Sequence, residues 1–290
     1  MDRRSFLFVS ATLGAGSLWP AGAARAQSPA SRSTPMGATN PRPERPARKR
    51  VFITGSSTGL GYLAAETLLS QGHEVVVHVR SRERMSAVQP LLERGAAVTV
   101  GDLSDLRQVR DLARQVNELG RMDAVIHNAG VLSGPQVLVV NTVAPYLLTA
   151  LVRRPQRLIY LSSALHRSGS TDLAGMDWTG RRATGSYADS KLYVTTLAAA
   201  VARRWPDVCS NAVNPGWVPT RMGGPAAPDD LRQGHATQEW LAVSDDPEAL
   251  TSGGYWYHLQ REEPHPAVHD VRFQDQLLAA LERATGTPLA

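Results

Sequence analysis

Short, continuously apolar runs alternate with longer amphipathic ones from residue 50 to the end of the chain. Val51-Phe52-Ile53, Glu74 to Val79, Ala97 to Val100, Ala124-Val125-Ile126, Arg157 to Leu161 and Val208 to Val213 read as strands, with Tyr255-Trp256-Tyr257 as a seventh. Leu60 to Leu69, 83–93, Leu106 to Leu119, 140–152, Tyr187 to Arg204 and Val271 to Thr285 carry apolar residues at helical spacing. Strands that are apolar throughout belong to sheets covered on both faces, and in strand–helix repeats those sheets are parallel. No repeat or interior linker divides residues 50–290. The expected fold is α/β, a doubly wound parallel sheet in a single domain.

The first 49 residues follow a different pattern. Arg3-Arg4 precede a moderately apolar stretch from Phe6 to about Ala23, and Ala24-Arg25-Ala26 offers small residues for cleavage before Gln27. Residues 1–26 resemble a bacterial twin-arginine export signal, which implies the translocation machinery as a partner and the periplasm as destination. An ordinary secretory signal or an uncleaved anchor is the alternative, although the run holds three glycines and is short for a stable span. Residues 27–49, rich in Pro, Ser, Ala and Arg, read as a disordered linker. The formal charge of +5 sits in this tail; from Val51 onward acidic residues slightly outnumber basic ones, which argues against nucleic-acid binding by the folded part. No later stretch has the length of apolar sequence that a membrane span needs. Cys209 is the only cysteine, so no internal disulfide can form, and no cluster of residues with metal-ligand spacing is evident.

Candidate chemistry lies where strands end. The first strand runs into Thr54-Gly55-Ser56-Ser57-Thr58-Gly59-Leu60-Gly61 and then a helix, so its glycines would let backbone approach a pyrophosphate at the helix N-terminus. A plain structural turn is the alternative. After the second strand comes Val79-Arg80-Ser81-Arg82, with no carboxylate until Glu83. A carboxylate there would hold ribose hydroxyls, whereas Arg80 can pair with a 2′-phosphate, with Ser81, Arg82 or His78 as helpers, so NADP is favoured over NAD. Asp102-Leu103 follows the third strand, where Asp102 would accept from an adenine amino group or, like Ser104, cap the next helix. Asn128-Ala129-Gly130 ends the fourth strand at the mouth of the expected crevice. Tyr187 and Lys191 stand four residues apart, on one face of a helix. An ammonium beside a phenol, whose ordinary pKa is about 10, favours the phenolate and suits proton exchange with an alcohol or ketone oxygen.

Taken in order, the turn at 54–61, Asn128-Ala129-Gly130, Asn141, Ser162-Ser163, Tyr187 with Lys191, and Pro215-Gly216 followed by Thr220 resemble the short-chain dehydrogenase/reductase family over roughly residues 50–290. The resemblance implies a Rossmann-type fold and a catalytic tetrad of Asn141, Ser163, Tyr187 and Lys191, with Ser162 a neighbour. It also implies that 214–220 lies along the nicotinamide, with Pro215, Gly216, Val218 and Thr220 as contacts. On this view Ser57, Thr58, Gly59, Leu60 and Gly61 cradle NADP(H), Tyr187 exchanges the proton, Lys191 holds the nicotinamide ribose, Ser163 bonds the carbonyl oxygen, and Asn141 holds a water linking Lys191 to solvent.

Two spacings depart from the family's compact members. Twenty-three residues separate Ser163 from Tyr187, which resembles the retinol-dehydrogenase-like branch and implies carbonyl or alcohol substrates with a hydrophobic body. Only ten residues separate Gly130 from Asn141, which bears on the family's helix-mediated dimer and leaves a homo-oligomer open. The substrate wall is expected from 164–186 and 217–240, where Trp178, Trp217, Met222 and Trp240 are either wall or core. The function of another class kept beside this one is an exported NADP-binding protein with a regulatory role and no turnover.

Overall fold

The computed structural model describes residues 47–289. The signal expected over 1–26 and most of the linker expected over 27–49 lie outside them. Lys49, assigned to the linker from sequence, already belongs to the fold: its N–H donates to His73 Nδ1 at 3.2 Å and its carbonyl accepts from Glu74 N–H at 2.9 Å.

Strands β1 (Arg50–Ile53), β2 (Glu74–Val79), β3 (Ala97–Val100), β4 (Ala124–His127), β5 (Arg157–Leu161), β6 (Cys209–Asn214), β7 (Tyr255–Tyr257) and β8 (Gln260–Glu262) form one sheet in the order β3-β2-β1-β4-β5-β6-β7-β8. All neighbours are parallel except β7 and β8, an antiparallel edge hairpin. Side chains of a strand alternate between faces, and both faces are covered. Val51, Ile53, Val75, Val77 and Ile126 meet α1 (Gly59–Ser70), α2 (Gln89–Glu93) and α6 (Leu231–Val243). Phe52, Val76, Val125 and Leu158 meet α3 (Leu106–Glu118), α4 (Ala144–Leu151), α5 (Tyr187–Arg204) and α7 (Val271–Thr285).

Local chemistry sets the helix boundaries. Asp105 accepts from Arg107 N–H to start α3, Asp230 from Gln233 N–H to start α6, and Asp270 from Arg272 N–H to start α7. Ser186 and Asp189 form a reciprocal capping box that fixes the first turn of α5. Two expected helices differ in detail. The 83–93 stretch is a 3₁₀ helix over Arg82–Val88 followed by the single short turn of α2. The 140–152 stretch opens as a π-helical turn over Val139–Val143 before α4. Among the described residues, no helix is long and apolar enough to cross a membrane.

Candidate active site

The strand order reverses between β1 and β4, the place where ligands bind in open parallel sheets. The loops after these strands are stitched together. Asn128 Nδ2 donates to the carbonyls of Thr54 and Gly55 at 2.9 and 3.2 Å, and Ala129 N–H donates to Thr54 Oγ1 at 3.1 Å. Gly55 (φ +66°) and Gly59 (φ +61°) take left-handed conformations, and a Cβ on Gly55 would stand 2.9 Å from Ala129 Cα. A Cβ on Gly61 would overlap the Asn128 amide. Thr58 begins α1 without a side-chain cap, and the first turn holds no acidic residue that would compete with an anion there. Ser57, Thr58, Gly59, Tyr62, Pro219 and Thr220 border a cleft of about 410 Å³ there.

Arg80 leaves the end of β2 with 71% of its side chain exposed, its Nε 3.8 Å from Asp102 Oδ2. Asp102 Oδ1 accepts from the N–H and hydroxyl of Ser104 at 2.9 and 2.7 Å. Asp102 therefore shapes the loop after β3, and Asp105, rather than Asp102 or Ser104, caps the helix. The Leu103 side chain is buried in the core, so only its backbone is left to serve a ligand. His78 is buried with both ring nitrogens engaged, so it is no helper at a phosphate.

The four tetrad positions converge at the C-terminal ends of the same central strands. Asn141, in the π-helical turn, accepts from Val131 N–H at 2.8 Å and donates from Nδ2 to the Val131 carbonyl and Ser190 Oγ, each at 2.9 Å. A Cβ at Gly130 would stand 3.4 Å from Asn141 Oδ1 and 3.5 Å from Lys191 Nζ, so this glycine keeps open the gap between them. Lys191 Nζ donates to the Leu161 carbonyl at 2.7 Å and lies 5.4 Å from the centre of the Tyr187 ring. Burial pulls the ammonium down to about 8. Burial also pushes the Tyr187 phenol above its ordinary value, against an opposing hydrogen bond from Ser163. Burial outweighs that bond, so the phenol lies above its ordinary value rather than below it, where its pairing with Lys191 led one to expect it. Ser163 Oγ accepts from Leu165 N–H at 3.2 Å, whereas Ser162 Oγ is spent on Thr195 Oγ1 at 2.6 Å.

After β6, Gly216 (φ +82°) turns the chain, and Trp217 N–H donates to Asp229 Oδ2 at 2.6 Å, pinching off a loop from Trp217 to Asp229. Val218 is buried. The Thr220 methyl is 3.6 Å from where a Gly59 Cβ would be, so this loop closes over the glycine-rich turn. Trp217 and Met222 are exposed, as are Leu132 after β4 and Leu165 after β5. Trp178 packs on Tyr193 and Trp240 packs edge-on to Trp256, which assigns both to packing rather than to the wall.

Sequence reasoning passed over His166. Its Nδ1–H donates to the Ser163 carbonyl at 2.7 Å, its Nε2 accepts from His265 N–H at 2.9 Å, and its ring lies against Tyr255. It ties the backbone of Ser163 to the segment before α7. Its position three residues after Ser163 was the available signal, but periodicity says nothing about a 3₁₀ turn.

Comparison with known proteins places this geometry. The short chain dehydrogenase family profile matches residues 49–150. Short-chain dehydrogenase chry4 of Gibberella zeae is 36% identical over 254 residues, covering 83% of this chain and 98% of its own. Human retinol dehydrogenase 13 is 27% identical over 285 residues, covering 82% of this chain and 85% of its own. Among solved structures, a Mycobacterium paratuberculosis protein shares the fold with a TM-score of 0.69 at 24% identity, covering 84% and 96% of the two chains. A blue fluorescent protein from a metagenomic library, solved with NADPH, does so at 0.59 and 23%, covering 72% and 95%. Matched along nearly the whole length of such relatives, the chain belongs to the short-chain dehydrogenase/reductase family of oxidoreductases.

Proposed function

We propose that the protein interconverts an alcohol and a carbonyl using NADP(H), with Tyr187 as general acid and base. The observation that carries this reading is the convergence of Tyr187, Lys191, Ser163 and Asn141 beside a glycine-rich turn at the reversal of strand order. A dinucleotide fits the residues present. A Cβ would fill the cradle at Gly55, the N-terminus of α1 is uncapped, and the exposed Arg80 suits a 2′-phosphate. Gly55, Ser57 to Gly61, Arg80, Asp102, the Leu103 backbone, Asn128 to Gly130, and Pro215, Gly216, Val218 and Thr220 would hold it; a fold neighbour was solved with NADPH. The bound nicotinamide supplies or accepts the hydride.

The chain's own residues then move and stabilise the proton and the developing charge. Tyr187 donates its phenolic proton to the substrate oxygen during reduction and takes it back during oxidation. Lys191, charged below about pH 8, favours the phenolate that remains. Ser163 Oγ donates to the same substrate oxygen as charge develops on it. Asn141 holds the loop after β4 against Ser190 and, across the gap kept by Gly130, would share a water with Lys191.

The substrate we infer has an apolar body. Leu132, Leu165, Trp217 and Met222 lie exposed on the loops that carry the site, and exposed apolar groups gathered around a site mark binding surface. The long segment between Ser163 and Tyr187 and the match to a retinol dehydrogenase support placement in the retinol-dehydrogenase-like branch. Arg3-Arg4 and the apolar stretch behind them support twin-arginine export to the periplasm, a route that carries folded proteins with their cofactor already inserted. A panel of apolar aldehydes and ketones supplied with NADPH or NADH tests the reading. Turnover with NADPH on at least one apolar carbonyl is expected, and no turnover on any with either nucleotide would refute it.

A further inference from the structure

We propose that His78 is a positioning residue for the dinucleotide, its imidazole tying the glycine-rich turn after β1 to the loop after β3. This rests on the NADP(H) reading above. The sheet ladders stop at Ile53–Val77 between β1 and β2, and at Val79–Val100 between β2 and β3. Beyond those pairs the two loops that would meet the pyrophosphate and the adenosine have no ladder between them. His78 supplies the link. Its Nδ1 accepts from Gly55 N–H at 3.0 Å, and its Nε2 pairs with the Gly101 carbonyl at 2.7 Å.

A backbone N–H can only donate and a carbonyl can only accept, so these partners fix the ring as neutral with its proton on Nε2. Burial, which holds the imidazole down at about 4, keeps it in that form. The backbone of the same residue adds two further ties: His78 N–H donates to Ser56 Oγ at 2.8 Å, and Ser56 N–H donates to the His78 carbonyl at 3.2 Å. Ser56 Oγ in turn donates to the Ile53 carbonyl at 2.9 Å. One buried side chain thus spans the ends of three strands. It touches Gly55, whose left-handed conformation opens the cradle, and it lies two residues before Arg80. Its two nitrogens are occupied, so it acts on the dinucleotide only through the loops it holds.

Three variants divide the link. His78→Asn keeps an acceptor near Nδ1 but drops the tie to Gly101, His78→Gln keeps a donor near Nε2 but drops the tie to Gly55, and His78→Ala drops both. Titration calorimetry with NADP⁺ and with adenosine 2′,5′-bisphosphate reads affinity. Amide hydrogen exchange on the free protein reads the loops without any ligand. His78→Ala is expected to weaken NADP⁺ binding by about tenfold or more, a loss of about 1.4 kcal/mol. Its kcat at saturating cofactor should stay within about twofold of wild type, a split that general loss of structure would not give. Exchange should quicken at 54–61 and 101–104, and Asn and Gln should each restore part of the affinity.

A folded His78→Ala that binds NADP⁺ like wild type, or kcat and affinity falling together, would overturn the proposal. If His78→Ala does not fold, the Asn and Gln variants decide, and wild-type affinity in both would overturn it as well. Wild-type protein that binds neither NADP⁺ nor NAD⁺ would instead remove the cofactor reading, and this proposal with it.

Discussion

Lys191 shows what the site costs the fold. Its ammonium is buried, with the Leu161 carbonyl as hydrogen-bond acceptor, and burial alone pulls it to about 8 from an ordinary 10.5. Below about pH 8 both folded and unfolded chains carry the charge, and the folded one bears the cost of desolvating it. Between about 8 and 10.5 the folded chain releases the proton while the unfolded one keeps it, so stability rises with pH across that window. Lys191→Met should remove this rise and raise the Tm of the cofactor-free protein at pH 7 by a few degrees, a change of the order of 1–2 kcal/mol once the lost hydrogen bond is set against it. The same variant should not turn over. In wild type, carbonyl reduction needs Lys191 charged and Tyr187 protonated, so its rate should fall as pH climbs through about 8, while alcohol oxidation, which needs Lys191 charged beside an ionised Tyr187, should stop rising there. Melting curves from pH 6 to 10 and the two pH–rate profiles check both statements; a reduction rate flat to pH 10 would contradict them.

At the scale of elements, the turn at 177–182, within the long segment between Ser163 and Tyr187, is held by one carboxylate. Asp177 Oδ1 accepts from the hydroxyl and N–H of Thr179 at 2.6 and 2.9 Å, and Oδ2 accepts from the N–H groups of Arg181 and Arg182 at 2.9 and 2.6 Å. These bonds, Thr179's first, hold the carboxyl down at about 2. Their contribution is present above the ordinary aspartate value and lost only as pH falls through about 2, so the turn should stay ordered in mild acid. Asp177→Ala should quicken amide exchange at 178–182 and raise KM for substrate several-fold with little change in NADP⁺ affinity. Unchanged exchange there would contradict the assignment.

Strands and the boundaries of α5 and α7 were legible because continuous apolar runs and caps such as Ser186 and Asp270 are local signals. Helix α6 was not, because its buried face carries Gly234, His235, Gln238 and Glu239 and so breaks the apolar stripe that marks a helix. The short β8, Gln-Arg-Glu on the sheet edge, looks like loop for the same reason. His78 was misread beside Arg80 because residues two apart share a strand face, and sequence does not say that loops close over one and leave the other open.

At the scale of the molecule, α5 is enclosed. Every residue from Ser190 to Val201 is buried, which a helix covered on one side only cannot achieve. The sheet lies beneath it, and α7 packs against it, with Arg203 Nε donating to Gln274 Oε1 at 2.8 Å and an ion pair joining Arg203 to Asp275 at 2.5 Å. The chain end continues this cover: Tyr146 on α4 donates its hydroxyl to the Thr287 carbonyl at 2.8 Å. Pairing of two copies through the outer face of α5 would require α7 to leave. Any self-association of the full chain should therefore leave α5 covered, which amide exchange along α5 reads, and removal of residues 271–290 should expose that face and yield self-association or unfolding. A stable dimer of the full chain built on α5 would contradict this packing.

The tetrad and the cradle sit at the C-terminal ends of the central strands, where the proposed proton path runs through a single phenol. The most direct measurement compares NADPH consumption by wild type and Tyr187→Phe on an apolar carbonyl, with NADP⁺ affinity measured on the same samples. The variant should bind NADP⁺ within about threefold of wild type and turn over roughly 10²–10⁴ times more slowly. Equal turnover by the two proteins would contradict the role given to Tyr187, and with it the proton path on which the proposed function depends.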